Sequence, residues 1–309
     1  MLGRAGQAGK DSGNVNKTDM EADCAAGTYD KSNKRATYTA VTNENVLFGI
    51  ATLNKFGLPY GPKLDMADRL PVVCDSCKSV LHRVGSTVPR WLRIWTWQTH
   101  MARCGGKGGQ ANKVHTQMKI AVRHHVFLSS VPAGAIYRSG NKIKYEERGL
   151  RPTDRTAPGD LTAPDPADPL GRKLVMDTVC TSCLQESSLD ESSCSGDYVL
   201  HQAEKGKFLT DTNSTRPIRL DPMKRLLPLA ANQFGRRGWH FQSFLEELAE
   251  FVVCRPTGCR LLHGTFAMSE YAAASYVLRK WGARITWTIE RANAANTCSA
   301  MSALNLFLT

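Results

Sequence analysis

The chain has 309 residues, of which 42% are hydrophobic, enough for one large domain or two smaller ones with a true core. Forty Lys and Arg against twenty-eight Asp and Glu leave a net charge of +12, so the natural partner is a polyanion. The opening MLGRAGQAGKDSGNVNKTD lacks the apolar core of a secretory leader and no apolar run is long enough to span a membrane, so the ten cysteines read as intracellular thiols or metal ligands.

Residues 1–43 are polar, with few bulky apolar side chains, and are expected to be disordered. NENVLFGIATLNKFGLP (Asn43–Pro59) is the first helical stretch, stopped by Gly57 and Pro59. A Cys/His segment follows. From Leu70 to Tyr145 twelve Lys or Arg face a single acid, Asp75, so this window carries nearly all of the net charge. It also holds Trp91, Trp95 and Trp97, and cations with flat rings are a nucleic-acid composition. Arg90, Trp91, Arg93, Trp97, Arg103, Lys107 and Lys113 are the expected contacts, to DNA and possibly RNA. The bland reading is a solvated basic face, although such faces seldom lack acids over so long a stretch. The nucleus fits this charge.

KVHTQMKIAVRHHVFLSSVP, from Lys113, has apolar residues spaced for a helix with one buried side, and KIKYE reads as a strand. Arg155–Gly171 is rich in Pro, Asp and Gly, hence a loop. KLVMDTVCT and RLLPLAANQFG are β-rich. Near the end, WHFQSFLEELAEFVV repeats apolar residues at helical spacing, and SEYAAASYVLRKWG has Ser269 as N-cap and Gly282 as stop.

Cys74-x2-Cys77 and His100-x3-Cys104 are two pairs separated by a basic, tryptophan-bearing loop. Zinc takes four thiolate or imidazole ligands in a tetrahedron, and a pair two or three residues apart lets one turn supply two of them. His82 and His115 are spare candidates, each more often a surface or core histidine than a ligand. Glycines 105, 106, 108 and 109 release the chain beyond the site.

In order, FGIATLNKFGLP, the cysteine pair, HMARCGGKGGQANKVH, EERGLRPTD (Glu146–Asp154), GRKLVMDTVCTSCLQES, HQAEKGKF and RLLPLAANQFGRRG, ending in ERANAAN, resemble the C-terminal region of reverse transcriptases from non-LTR retrotransposons with a restriction-like endonuclease. The resemblance covers roughly residues 46–300 and rests on the order of the motifs rather than on any one of them. It implies a zinc knuckle and the PD-(D/E)xK nuclease fold: an α/β (α+β) mixed sheet flanked by helices. The expected division is a disordered tail at 1–43, a helical leader with a CCHC zinc module at 44–112, and the nuclease at 113–300.

Phosphodiester cleavage needs carboxylates converging on Mg²⁺ and a cation to absorb charge in the transition state. Asp154 follows Pro152 at the start of a loop. Asp177 lies in a β-rich run, where Asp is disfavoured and so suggests a use. The resemblance adds Glu147 and places the cation on a following helix, at Lys205 or else Lys207, because Val179 occupies the usual Asp-x-Lys position. A solvated helix lysine is the competing reading of Lys205. Asn232 and Gln233 stand where the family often has Glu before Phe-Gly, and no Tyr-x-Asp-Asp of a polymerase is present. Cys180-x2-Cys183, with Cys194 nearby, lacks an evident fourth ligand, and buried thiols are the simpler reading. Two functions follow: a metal-dependent DNA endonuclease that nicks its target, or a catalytically inactive, zinc-stabilised nucleic-acid-binding remnant. A zinc-finger regulator fits less well, because no finger is repeated.

Overall fold

A computed structural model describes residues 44–55, 64–81, 88–106, 110–128, 143–147, 159–165, 168, 170–182, 191, 194–209, 222–254 and 269–303. The expected disordered tail, the stop at Gly57 and Pro59, and His82, Lys107, Asp154 and Cys183 lie outside them. The protein is mixed α/β. Among the described residues its α-helices are α1 (Glu44–Lys55), α2 (Arg90–Arg103), α3 (Gln110–Ala121), α4 (Tyr198–Phe208), α5 (Trp239–Cys254) and α6 (Glu270–Ala303). Among the described residues, no helix is long and apolar enough to cross a membrane.

Among the described residues four strands, β1 (Lys144–Glu147), β2 (Gly159–Pro164), β3 (Lys173–Thr181) and β4 (Lys224–Asn232), form one sheet in spatial order β1-β2-β3-β4. The first two pairings are antiparallel and β3–β4 is parallel. Only the parallel pair needs a crossover, and α4 lies on it. Side chains alternate across the sheet. Leu161, Ala163, Leu174, Met176, Leu227, Leu229 and Ala231 turn to one face, where they join a core with α3, α5 and α6. On the other face α4 covers β3 and β4. Pro228 is tolerated because β4 is an edge strand.

Two readings from sequence change here. Strand β2 lies within the Arg155–Gly171 stretch that composition assigns to loop. Four residues between a glycine and a proline are too few for alternation to outweigh turn chemistry. Second, Gly282 does not stop a helix: α6 runs through it for 34 residues, absorbing ERANAAN. An added Cβ at Gly282 would stand 2.8 Å from the Arg237 guanidinium, so this glycine makes room for a side chain. Ser269 does cap the helix start, its Oγ accepting from Ala272 N–H at 3.3 Å.

The helix reading from Lys113 is right in kind. α3 begins at Gln110, so the module boundary at 112/113 falls inside it, and the chain winds on as a π-helix over Val122–Leu128. Helix α6 packs against α1, α2, α3 and α5. Its Met301 closes the small core of Leu70, Leu81, Ile94 and Trp97. Its Ala294, Ala295 and Cys298 meet Leu47 and Ile50 of α1.

Candidate metal centre and active site

Residues 72–81 form a tight hairpin. Val73 bridges Val80, Cys74 N–H donates to Ser79 C=O at 2.9 Å, and Lys78 N–H donates to Cys74 C=O at 2.8 Å. Lys78 takes the left-handed conformation, φ 63°, that this turn requires. The hairpin presents Cys74 and Cys77, while the last turn of α2 presents His100 and its C-cap Cys104, four residues apart on one side.

The four ligand atoms all lie within 4.8 Å of one another. Cys74 and Cys104 Sγ are 3.6 Å apart, too far for a disulfide, and Cys77 Sγ lies 3.2 Å from His100 Nε2. Zn–S bonds of ~2.3 Å in a tetrahedron put sulfurs about 3.8 Å apart, so this cluster could bind zinc. Gly106 N–H donates to Cys104 Sγ at 3.4 Å, as outer partners of metal thiolates do. A Cβ on Gly106 would meet the Ser76 backbone at 2.4 Å, so the hairpin and the glycine turn close only without a side chain there.

Burial and the neighbouring thiols push Cys104 up to about 12. Burial also raises Cys77, but its hydrogen bonds, chiefly with Ser79, outweigh this and bring it down to about 7. Burial lowers His100, keeping its imidazole neutral and able to ligate. Crowded thiols resist losing several protons together, and a cation at their centre removes that resistance.

A second polar cluster sits where β2 and β3 run side by side. Leu161 pairs with Met176, which brings Asp160 next to Asp177. Asp160 Oδ2 accepts from Thr178 N–H at 2.7 Å and from Thr178 Oγ1 at 2.6 Å, and lies 3.0 Å from His115 Nε2. Lys119 Nζ is 3.8 Å from its other oxygen. His115 and Lys119 are one helical turn apart on α3, so a single face delivers both. From the other side of the sheet, Lys207 Nζ bonds Asp177 Oδ1 at 2.9 Å.

The electrostatics separate the two carboxyls. Burial raises Asp177 and Asp160 pushes the same way, only partly countered by Lys207. Burial would raise Asp160 too, but the hydrogen bonds from His115 and Thr178 more than offset it and hold the group well below the usual carboxylate range. Carboxyls pushed apart in this way are a feature of sites that do acid–base or metal chemistry.

The residues expected from sequence fare unevenly. All four candidate metal ligands come together. Asp177 stands in the polar cluster with Asp160, which sequence missed because it lay in a presumed loop. Lys205 is exposed on α4, and Lys207, the second choice, reaches Asp177. The buried side of α4 carries Leu200 and Glu204, and Lys207 follows them at helical spacing. Glu147 is the last residue of β1, its backbone opposite Gly159. Val175 and Val179 share the Asp177 face, as alternation requires, and Val175 is buried.

Of the expected nucleic-acid contacts, Trp97 is fully buried and cannot stack on a base. Arg90 and Arg93 both pair with Asp68, at 2.9 and 3.1 Å. The Arg103 guanidinium donates to the Thr181 carbonyl at the end of β3. Trp91 is exposed, and Lys113 is half-buried on α3. Cys180 is on the core face, where burial pushes its thiol up to about 11, and it bonds Met118 Sδ rather than gathering metal ligands. Asn232 and Gln233 act structurally. Asn232 Oδ1 accepts from Phe234 and Arg236 N–H, and Asn293 of α6 donates to Gln233 C=O.

No family model, curated protein or solved structure matches the chain at a significant level.

Proposed function

We propose that the chain is a divalent-metal-dependent DNA endonuclease of the restriction-like type that resembles the C-terminal part of non-LTR retrotransposon reverse transcriptases. Asp160, Asp177 and Lys207 would form its cutting site. The observation that carries the proposal is their convergence: two carboxylates side by side on adjacent strands, with a lysine from the crossover helix on one of them. The mixed sheet with a parallel β3–β4 pair and α4 against it agrees with the PD-(D/E)xK architecture.

Both acids offer hard oxygen donors, the ligand type that Mg²⁺ prefers. When bound there, Mg²⁺ would activate water and polarise the scissile phosphate. Within the chain, Thr178 and His115 hold Asp160 ionised and fixed in direction. Lys207 is poised to turn from Asp177 toward charge growing on the phosphate. A zinc-bound module with exposed Arg90 and Trp91 would grip nucleic acid in the nucleus.

The deciding experiment is nicking of supercoiled plasmid in Mg²⁺ or Mn²⁺, with Asp177→Ala as control. Nicking by the wild type and none by the variant supports the proposal. DNA binding without nicking by either would favour the inactive zinc-stabilised remnant.

A further inference from the structure

Between α4 and the start of α5 lies a cleft of about 570 Å³ lined by Tyr198, Leu200, His201, Arg236, Arg237 and Trp239, among others. Its size falls within the range of small-ligand sites, roughly 300–1,000 Å³. Trp239 is 71% exposed, which leaves its ring open to stack on a planar group. The two arginines contribute cations. Arg236 pairs with Asp197 at the surface, and Arg237 donates through Nε to Gln242 Oε1 at 2.8 Å. The helix end itself is taken, because Glu204 Oε1 accepts from His240 N–H at 3.0 Å. An anion in the cleft must therefore use the arginines.

A short train of rings runs from the end of α4 into the cleft. Phe208, next to Lys207 in sequence, meets the His240 ring edge-on at 5.0 Å, and His240 meets Trp239 at 4.8 Å. We infer that the cleft is a nucleotide subsite. It would take one unpaired base of a nucleic-acid strand against Trp239 and the adjacent phosphate on Arg236 and Arg237. The Asp197–Arg236 pair opens to admit that phosphate. This inference rests on the nuclease reading for its location, not for its binding chemistry.

The test uses full-length, zinc-loaded protein without added Mg²⁺, so that binding is read apart from cutting. The probe is a single-stranded deoxy-oligonucleotide carrying 2-aminopurine, with the ribo-oligonucleotide as a second arm. Stacking on Trp239 quenches the fluorescence, and the preferred arm tells DNA from RNA. Trp239→Ala should weaken binding by roughly 5- to 150-fold, the span for loss of one base–aromatic stack, and abolish the quench. Trp239→Phe should retain most of both, and Arg236→Ala should weaken binding while leaving the quench at saturation. The exposed Trp239 contributes little to the core, and a matching Tm for each variant confirms that the fold persists. No quench in either arm, or an equal quench with Trp239→Ala, overturns the inference. A protein that never nicks but shows the Trp239-dependent quench retains the subsite and loses the nuclease reading. Nicking without the quench does the reverse.

Discussion

Lys207 Nζ lies 2.9 Å from Asp177 Oδ1 across the gap between α4 and β3, with each side chain about 30% exposed. The ammonium thus offsets part of the charge that burial penalises on Asp177, yet it remains within reach of solvent. This is a poised rather than a sealed ion pair. Asp177→Ala and Asp160→Asn should each take nicking below detection while DNA affinity stays near wild type. Lys207→Ala should slow nicking by roughly 10²–10³-fold, the usual loss when one donor to transition-state charge is removed. Lys205→Ala should leave it unchanged, and equal effects of the two lysine variants would refute this assignment.

Asp160 also makes stability depend on pH. Its folded pKa is depressed below the ordinary 3.8, so its contribution is fully present above that value and is lost as pH falls through the folded pKa. Asp160→Asn should therefore cost about 1.5–3 kcal/mol at pH 7, the range for hydrogen bonds to a charged group. The difference from wild type should shrink below pH 3.8. Urea midpoints at pH 7 and pH 3 measure it. Asp177 has the opposite sign: with its pKa raised, it disfavours the folded state as pH climbs through that pKa.

Purified protein should contain one equivalent of zinc on Cys74, Cys77, His100 and Cys104. Chelation should lower Tm sharply, because metal-binding free energy is available to the folded site alone. Gly106→Ala should mimic chelation although it removes no ligand, since its methyl would collide with the Ser76 backbone. Elemental analysis of wild type and variant checks both statements.

Asp68 ties up two of the arginines expected to meet nucleic acid. Asp68→Asn should release Arg90 and Arg93 and steepen the log–log salt dependence of duplex binding, by about 0.9 for each added phosphate contact. Charge reversal at Arg90 and Arg93 should flatten it. A slope that neither change moves places the contacts on another face.

Local chemistry was legible from sequence and its three-dimensional pairing was not. Ligand spacing identifies Cys74, Cys77, His100 and Cys104, because a turn and a helix end each fix two residues without outside help. The strand Lys173–Thr181 and the helix Trp239–Cys254 also announce themselves through composition and period. Asp160 was hidden because β2 owes its existence to β3 beside it. Lys205 and Lys207 differ only in which side of α4 packs down, and that is decided by the sheet. Trp97 had the composition of a stacking platform, but Ala67, Leu70 and Met301 claimed it for a core.

Buried Asn296 on α6 donates through Nδ2 to Ala102 C=O at 2.9 Å and to Gln110 C=O at 3.2 Å. These carbonyls flank Cys104, so the turn after the last of the four candidate ligands is pinned by a residue 194 positions further along than Ala102. At 5–20 residues per second, a ribosome takes roughly 10–40 s to travel that distance. Through that interval the nascent Cys74–Cys104 segment lacks this clamp as well as Met301. Completion of this segment thus waits on α6, and a chaperone or an inhibitor that holds α6 would act on the distant Cys74–Cys104 segment.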